Sequence, residues 1–184
     1  VNHLTTMEKA SGFVKCDIKE SAYVIFTSGT TGEPKGVEIT HESAVNTIND
    51  INTRFHIESK DKCFAISELS FDLSVYDYFG MLSVGGTIVI PKQEERKNAD
   101  KWLEWIETEG ITVWNSVPTI YEMLLTVAEA EKRILPLKKV LLSGDWISIE
   151  LYKKTRDLTK ECLFVSLGGA TEAAIWSVYY IIDS

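Results

Sequence analysis

From residue 62 to residue 167, short apolar runs alternate with amphipathic stretches, and this rhythm limits the fold more than any other feature of the chain. The runs KCFAIS (62–67), TIVIP (87–91), ITVWNS (111–116), KKVLLSG (138–144) and CLFVSL (162–167) are strand-like in length and in their content of β-branched and aromatic residues. Between them lie helical patterns: DLSVYDYFGMLSVG (72–85), NADKWLEWIETEG (98–110), PTIYEMLLTVAEAEK (118–132) and SIELYKKTRDL (148–158). Asn98 is placed as an N-cap, Gly110 as a stop, and Pro118 at a first helical turn. Such β-α repetition predicts an α/β fold, with a largely parallel sheet flanked by helices. AIWSVYYII (174–182) reads as a last strand. Upstream, SAYVIF (21–26) and GVEIT (36–40) read as a β-hairpin with a long tip, and Thr40 as the cap of a helix over HESAVNTINDINTRF (41–55).

Composition excludes some functions. The 184 residues carry a net charge of -8, and no Lys/Arg run exceeds two residues, so there is no concentrated basic footprint for nucleic acid. No apolar run approaches the ~18 residues of a membrane span. Cys16, Cys63 and Cys162 are odd in number and lack metal-ligand spacing, which predicts reduced thiols and a cytoplasmic setting.

The hairpin tip, TSGTTGEPK, concentrates hydroxyls and glycines and ends in one Lys. Glycine lets a backbone approach a ligand closely, and consecutive exposed N–H groups form an anion nest. Thr27, Ser28, Thr30 and Thr31 add hydroxyl donors and Lys35 a point charge, so phosphate is the natural guest. The loop is not a Walker A motif, because Pro34 precedes Lys35 and Gly36 begins a strand. Composition alone also allows an ordinary flexible tip.

The whole string YVIFTSGTTGEPKGV (23–37) resembles the phosphate-loop signature of the adenylate-forming enzymes: acyl-CoA synthetases, luciferases and the adenylation domains of nonribosomal peptide synthetases. FDLSVYDYFG (71–80) resembles that superfamily's helix start beneath the carboxylate substrate. LGGATEAAIWS (167–177) resembles its Tyr-Gly-Pro-Thr-Glu segment. The resemblance covers residues 20–184 and implies ATP-dependent activation of a carboxylate as an acyl-adenylate, followed by transfer to a thiol. It implies that Thr27, Ser28, Gly29, Thr30, Thr31, Gly32 and Lys35 handle the β- and γ-phosphates. Thr171 would touch the α-phosphate and Glu172 would help hold Mg²⁺, with Gly168, Gly169 and Ala170 along the AMP. Lys35, Thr171 and Glu172 would be the catalytic set. This chain has Gly168 where the family commonly carries an adenine-stacking aromatic, and Ala170 in place of Pro. Gly-Gly-Ala-Thr-Glu resembles a variant seen in one subgroup of peptide synthetases.

Asp72 bears on which carboxylate is activated. Read alone it is a helix cap, a common role for Asp. In amino-acid-activating members, an Asp at this place pairs with the substrate's ammonium, and a buried carboxylate needs such a partner. Matched by motif, Asp72, Leu73, Tyr76, Asn115, Leu141, Ser143, Leu167, Ile175 and Trp176 resemble the pocket of cysteine-activating domains, although each apolar member taken singly reads as core. A small apolar slot suits a thiol, with Ser143 or Asn115 meeting the S–H.

The resemblance further implies a peptide-synthetase adenylation-domain core. Residues 1–20 would be a lead-in, 21–58 the hairpin and helix ending a first subdomain, and 59–184 a second α/β subdomain. The C-terminal lid with its catalytic Lys is absent, so the chain alone is expected to turn over poorly or not at all. Its partners would be an amino acid, the phosphopantetheine of a peptidyl carrier domain and neighbouring synthetase domains. An acyl- or aryl-CoA synthetase fragment and a non-catalytic nucleotide-binding module are the alternatives.

Overall fold

The computed structural model describes Gly12, residues 15–27 and residues 32–183. An antiparallel hairpin of β1 (Ser21–Thr27) and β2 (Lys35–Thr40) runs directly into α1 (His41–Arg54). Then come β3 (Lys62–Phe64), α2 (Leu73–Val75), a π-helical segment Tyr76–Gly80, α3 (Met81–Ser83) and β4 (Thr87–Val89). α4 (Ala99–Glu109), β5 (Val113–Ser116), α5 (Pro118–Ala130), β6 (Lys139–Leu142), α6 (Ile149–Leu158), β7 (Leu163–Gly168) and β8 (Val178–Ile182) complete the order. The six later strands form one sheet in the order β4-β3-β5-β6-β7-β8, parallel throughout except for antiparallel β8. This is the α/β architecture that the sequence rhythm predicts.

Local chemistry sets the helix ends. Thr40 Oγ1 accepts from the Ser43 N–H at 3.3 Å, Asn98 Oδ1 from the Lys101 N–H at 3.3 Å, and Ser148 Oγ from the Leu151 N–H at 3.2 Å. Gly110 ends α4 in the left-handed conformation at φ +67.

Side chains alternate across the sheet. Val113, Leu141 and Val165 point to one face, where they pack with Ile48 and Ile51 of α1, with Phe55 just after it, and with Tyr76 and Met81. Trp114, Val140, Leu142 and Phe164 point to the other face, against Trp102, Ile106, Tyr121, Leu124 and Leu151 of α4, α5 and α6. Both faces are therefore covered, as a parallel sheet requires. At the strand starts, buried Asp61 accepts from Lys139 Nζ at 2.7 Å, the Thr112 hydroxyl at 2.8 Å and the Glu58 N–H at 2.9 Å. That network ties β3, β5 and β6 together at the end remote from the site.

Several elements end short of the sequence reading, and three segments depart from it for an identifiable reason. The strand expected over 62–67 ends at Phe64, its partner β4 being only three residues long. The helix expected over 72–85 contains the π-helical segment. There the Tyr76 ring lies so close to Gly80 that an added Cβ would stand 2.7 Å from it. Asn52 of α1 braces this run: its Oδ1 accepts from the Tyr76 hydroxyl, and its Nδ2 donates to Gly80 O, each at 2.8 Å. The strand expected over 174–182 begins only at Val178, because Ala174 and Ile175 take φ values of +56 and +80 and turn the chain sharply.

Candidate active site

The site gathers at the carboxyl ends of β5, β6 and β7, where ligands of open α/β sheets are expected. Asn115 lies beside Leu141 in register, and Leu141 beside Val165. Leu73, Tyr76, Leu141, Leu167, Ile175 and Trp176 are buried together in one apolar cluster. Asn115 and Ser143 are buried with them as polar members. The Trp176 indole donates to Ser143 Oγ at 2.9 Å and meets the Tyr76 ring edge-on, with centroids 5.0 Å apart.

Asp72 resolves an ambiguity of the sequence. It precedes α2 and makes no capping hydrogen bond. Its Oδ2 instead accepts from the Thr171 hydroxyl at 2.8 Å, joining two motifs 99 positions apart. The cap reading of Asp72 therefore fails: its carboxylate is turned toward the Thr171 turn. Tyr23 of β1 stands on the third side. Burial, and then the Asp72 charge, push its phenol up to about 12, and its buried Oη has no hydrogen-bond partner. Ile39 of β2 packs with Ala44 and Ala174, seating the hairpin against the Thr171 turn.

Gly168 closes β7 opposite Val178, and its carbonyl accepts from the Ser177 N–H at 2.9 Å. Gly169 is held where a side chain cannot fit, since a Cβ there would lie 2.3 Å from the Ile175 carbonyl oxygen. Ala170 precedes the short 3-10 turn Thr171–Ala173, on which Glu172 is exposed. At the base of the phosphate loop, Thr27 and Lys35 are paired across the hairpin, and Lys35 is exposed. Gly32 takes φ +87. Ser28, Gly29, Thr30 and Thr31, with most of the expected lead-in, lie outside the described residues.

Among the described residues, no group of three or more His, Cys, Asp or Glu side chains could hold a metal ion. The arrangement fits Mg²⁺ nonetheless, because Mg²⁺ is commonly bound by one or two carboxylates with water and substrate phosphates supplying the rest. Glu172, exposed beside Thr171, would be the residue to hold it. Among the described residues, no helix is long and apolar enough to cross a membrane.

Sequence reasoning passed over two residues of this site, Tyr23 and Asp77. Asp77 is buried behind Asn115, whose Nδ2 donates to Asp77 Oδ1 at 2.8 Å. Burial pushes this carboxyl up to about 7, against the opposing pull of the Asn115 hydrogen bond. Ser67 is a further polar neighbour, but no hydrogen bond of normal geometry joins it to Asp77 Oδ2, which has no partner. The available signal was a carboxylate one residue after Tyr76 and four after Leu73, on the face that carries the pocket.

A sequence profile of the AMP-binding enzyme family matches residues 4–184. Over 166 residues the chain is 47% identical to the anguibactin system regulator of Vibrio anguillarum, covering 89% of this chain and 16% of that protein. Over 181 residues it is 46% identical to bacitracin synthase 1 of Bacillus licheniformis, covering 98% of this chain and 3% of that protein. A crystal structure of the nonribosomal peptide synthetase FmoA3 (S1046A) superposes with a TM-score of 0.88 at 38% identity, covering 98% of this chain and 19% of that one. Its AMPPNP-bound form superposes at 0.83 with 39% identity, covering 91% of this chain and 18% of that one. The chain thus spans less than a fifth of the length of each of these relatives. With the hairpin and the GGATE turn seated against it, these likenesses identify the chain as a member of the AMP-binding enzyme family, of the kind that forms nonribosomal peptide synthetase adenylation domains.

Proposed function

We propose that this chain is the amino-acid-selecting core of an adenylation domain that activates cysteine, for transfer to the phosphopantetheine thiol of a carrier domain. The observation that carries the reading is Asp72: its carboxylate does not cap its helix and is directed to Thr171, beside the slot of Leu73, Tyr76, Leu141, Leu167, Ile175 and Trp176. A substrate ammonium would satisfy Asp72, whereas an acyl chain would leave it without a counter-charge. The lining is mostly apolar, and its buried polar members, Asn115 and Ser143, can meet a thiol.

Each group then has a task. Thr27, Ser28, Gly29, Thr30, Thr31, Gly32 and Lys35 grip the β- and γ-phosphates of ATP. Gly168, Gly169 and Ala170 let the nucleotide approach the sheet end closely. Thr171 donates to the α-phosphate, and Glu172 holds Mg²⁺. ATP with Mg²⁺ supplies the activated phosphorus and the pyrophosphate leaving group. Asp72 holds the substrate so that its carboxylate faces that phosphorus, and most of the acceleration comes from placement and charge neutralisation. Residues 21–58 and 59–184 belong to two successive subdomains of the larger enzyme.

A panel of amino acids in ATP–pyrophosphate exchange, run with the synthetase that carries this chain, tests the reading. Cysteine is the expected preference. Preference for another amino acid removes the pocket assignment and keeps amino-acid activation, while turnover of acyl or aryl acids alone overturns both. The 184 residues by themselves are expected to show little exchange.

A further inference from the structure

Two buried polar atoms near the pocket have no hydrogen-bond partner: Asn115 Oδ1 and Asp77 Oδ2. They belong to a directly bonded pair. Asn115 Nδ2 donates to Asp77 Oδ1 at 2.8 Å and to the Leu73 carbonyl oxygen at 3.3 Å. A peptide carbonyl can only accept, so the edge of the amide facing Leu73 must be its nitrogen. Both amide hydrogens are thereby committed, and only the oxygen is left to offer.

We infer that Asp77 is a positioning residue for Asn115: it fixes the amide so that Asn115 Oδ1 is presented to the substrate side chain, and the pocket selects a side chain that carries a hydrogen-bond donor. The inference rests on the amino-acid-activating reading above and deepens it. Asp77 touches no substrate. It acts through the amide, and its own burial among Cys63, Tyr76 and Asn115 keeps water from competing for the Nδ2 hydrogens. An unmet buried acceptor is costly, so a substrate that supplies a hydrogen to it gains over an isostere that cannot.

The test uses the synthetase that carries this chain and compares cysteine with 2-aminobutyrate and β-chloroalanine, which match it in size and lack the donor. The wild-type enzyme should favour cysteine about tenfold or more in kcat/KM, the worth of one modest hydrogen bond. Asp77→Leu should collapse that ratio through KM. Asp77→Asn, which still offers an acceptor to Asn115, should restore the ratio. An unchanged ratio in Asp77→Leu, or failure of Asp77→Asn to restore it, overturns the inference. Should Asp77→Leu not fold, the wild-type comparison decides: equal use of cysteine and β-chloroalanine overturns the inference. If cysteine is not the preferred amino acid at all, it is the cysteine assignment that fails.

Discussion

Gly169→Ala is a one-carbon change whose effect the geometry specifies. The new Cβ would stand 2.3 Å from the Ile175 carbonyl oxygen, 2.7 Å from Trp176 Cα and 3.0 Å from the Ile175 carbonyl carbon. All three are backbone atoms, so no rotamer change can clear them. At Gly168, by contrast, the nearest atom to an added Cβ is a methyl of Val178, at 2.9 Å, which can rotate. Ordinary contact begins near 3.4 Å, so residues 175–176 would have to retreat by about 1 Å. That turn has little slack, since Ile175, a β-branched residue, already sits at φ +80. Retreat would draw the Trp176 indole off Ser143 and loosen its contact with Tyr76. Overpacking of this kind costs about 1–3 kcal/mol, and a 1 Å misplacement of positioning groups costs about 100-fold in rate. Urea denaturation and amino-acid-dependent ATP–pyrophosphate exchange should both register the change. Wild-type kcat/KM at an unchanged urea midpoint would falsify the claim that Gly169 sets the position of Ile175 and Trp176.

Other perturbations test other links. Asp72→Ala should cost at least about 100-fold in kcat/KM for an amino acid, the effect expected when a buried ammonium loses its counter-charge, and kinetics across the amino-acid panel would read it. Asp77 should give the protein a pH-dependent stability. Burial raises its folded pKa from 3.8 to about 7, so between those values the folded state keeps a proton that the unfolded chain has lost. Stability should therefore fall as pH rises from about 4 to about 7, by roughly 4 kcal/mol at full expression, and urea midpoints of Asp77→Asn should lack that slope. Asp61 behaves oppositely. Burial alone would raise its pKa, but hydrogen bonds from Lys139, the Glu58 N–H and Thr112 outweigh burial and hold it low. Its stabilisation is present above the ordinary carboxylate pKa and is lost as pH falls through the lowered value. Lys139→Met should strand Asp61 and cost about 3 kcal/mol in urea denaturation at neutral pH, and unchanged stability would show the pair to be dispensable.

Much of the fold was legible because each element carries its own local signal. Asn98 and Gly110 bracket α4, Pro118 opens α5, and the strand runs alternate between the two faces of the sheet. That the expected pocket residues would cluster was legible only jointly. Leu141 or Ile175 alone is ordinary core, and it was spacing relative to three motifs that set them side by side. What stayed hidden depends on contacts between distant segments. AIW (174–176) has strand-like composition, yet the approach of Gly169 to Ile175 turns it into a left-handed corner. The π-helical segment depends on Asn52, 24 residues before Tyr76. Asp77 was passed over because its partner, Asn115, lies 38 positions later in the chain. Tyr23 sits in a strand pattern that does not say which hydroxyl ends beside a carboxylate.

With Asp72 holding the substrate amine and Thr171 the α-phosphate, as proposed, the bond between these residues would tie two tasks to one hydrogen atom. A hydroxyl can donate only once, so while the acid holds that hydrogen no anion can have it. Asp72 has a second oxygen with which to meet an amine, and an anion drawing the Thr171 hydrogen away leaves the acid short of a donor and more receptive to a cation. Amine and phosphate should each tighten the other's grip, by equal factors in both directions, across a single 2.8 Å contact.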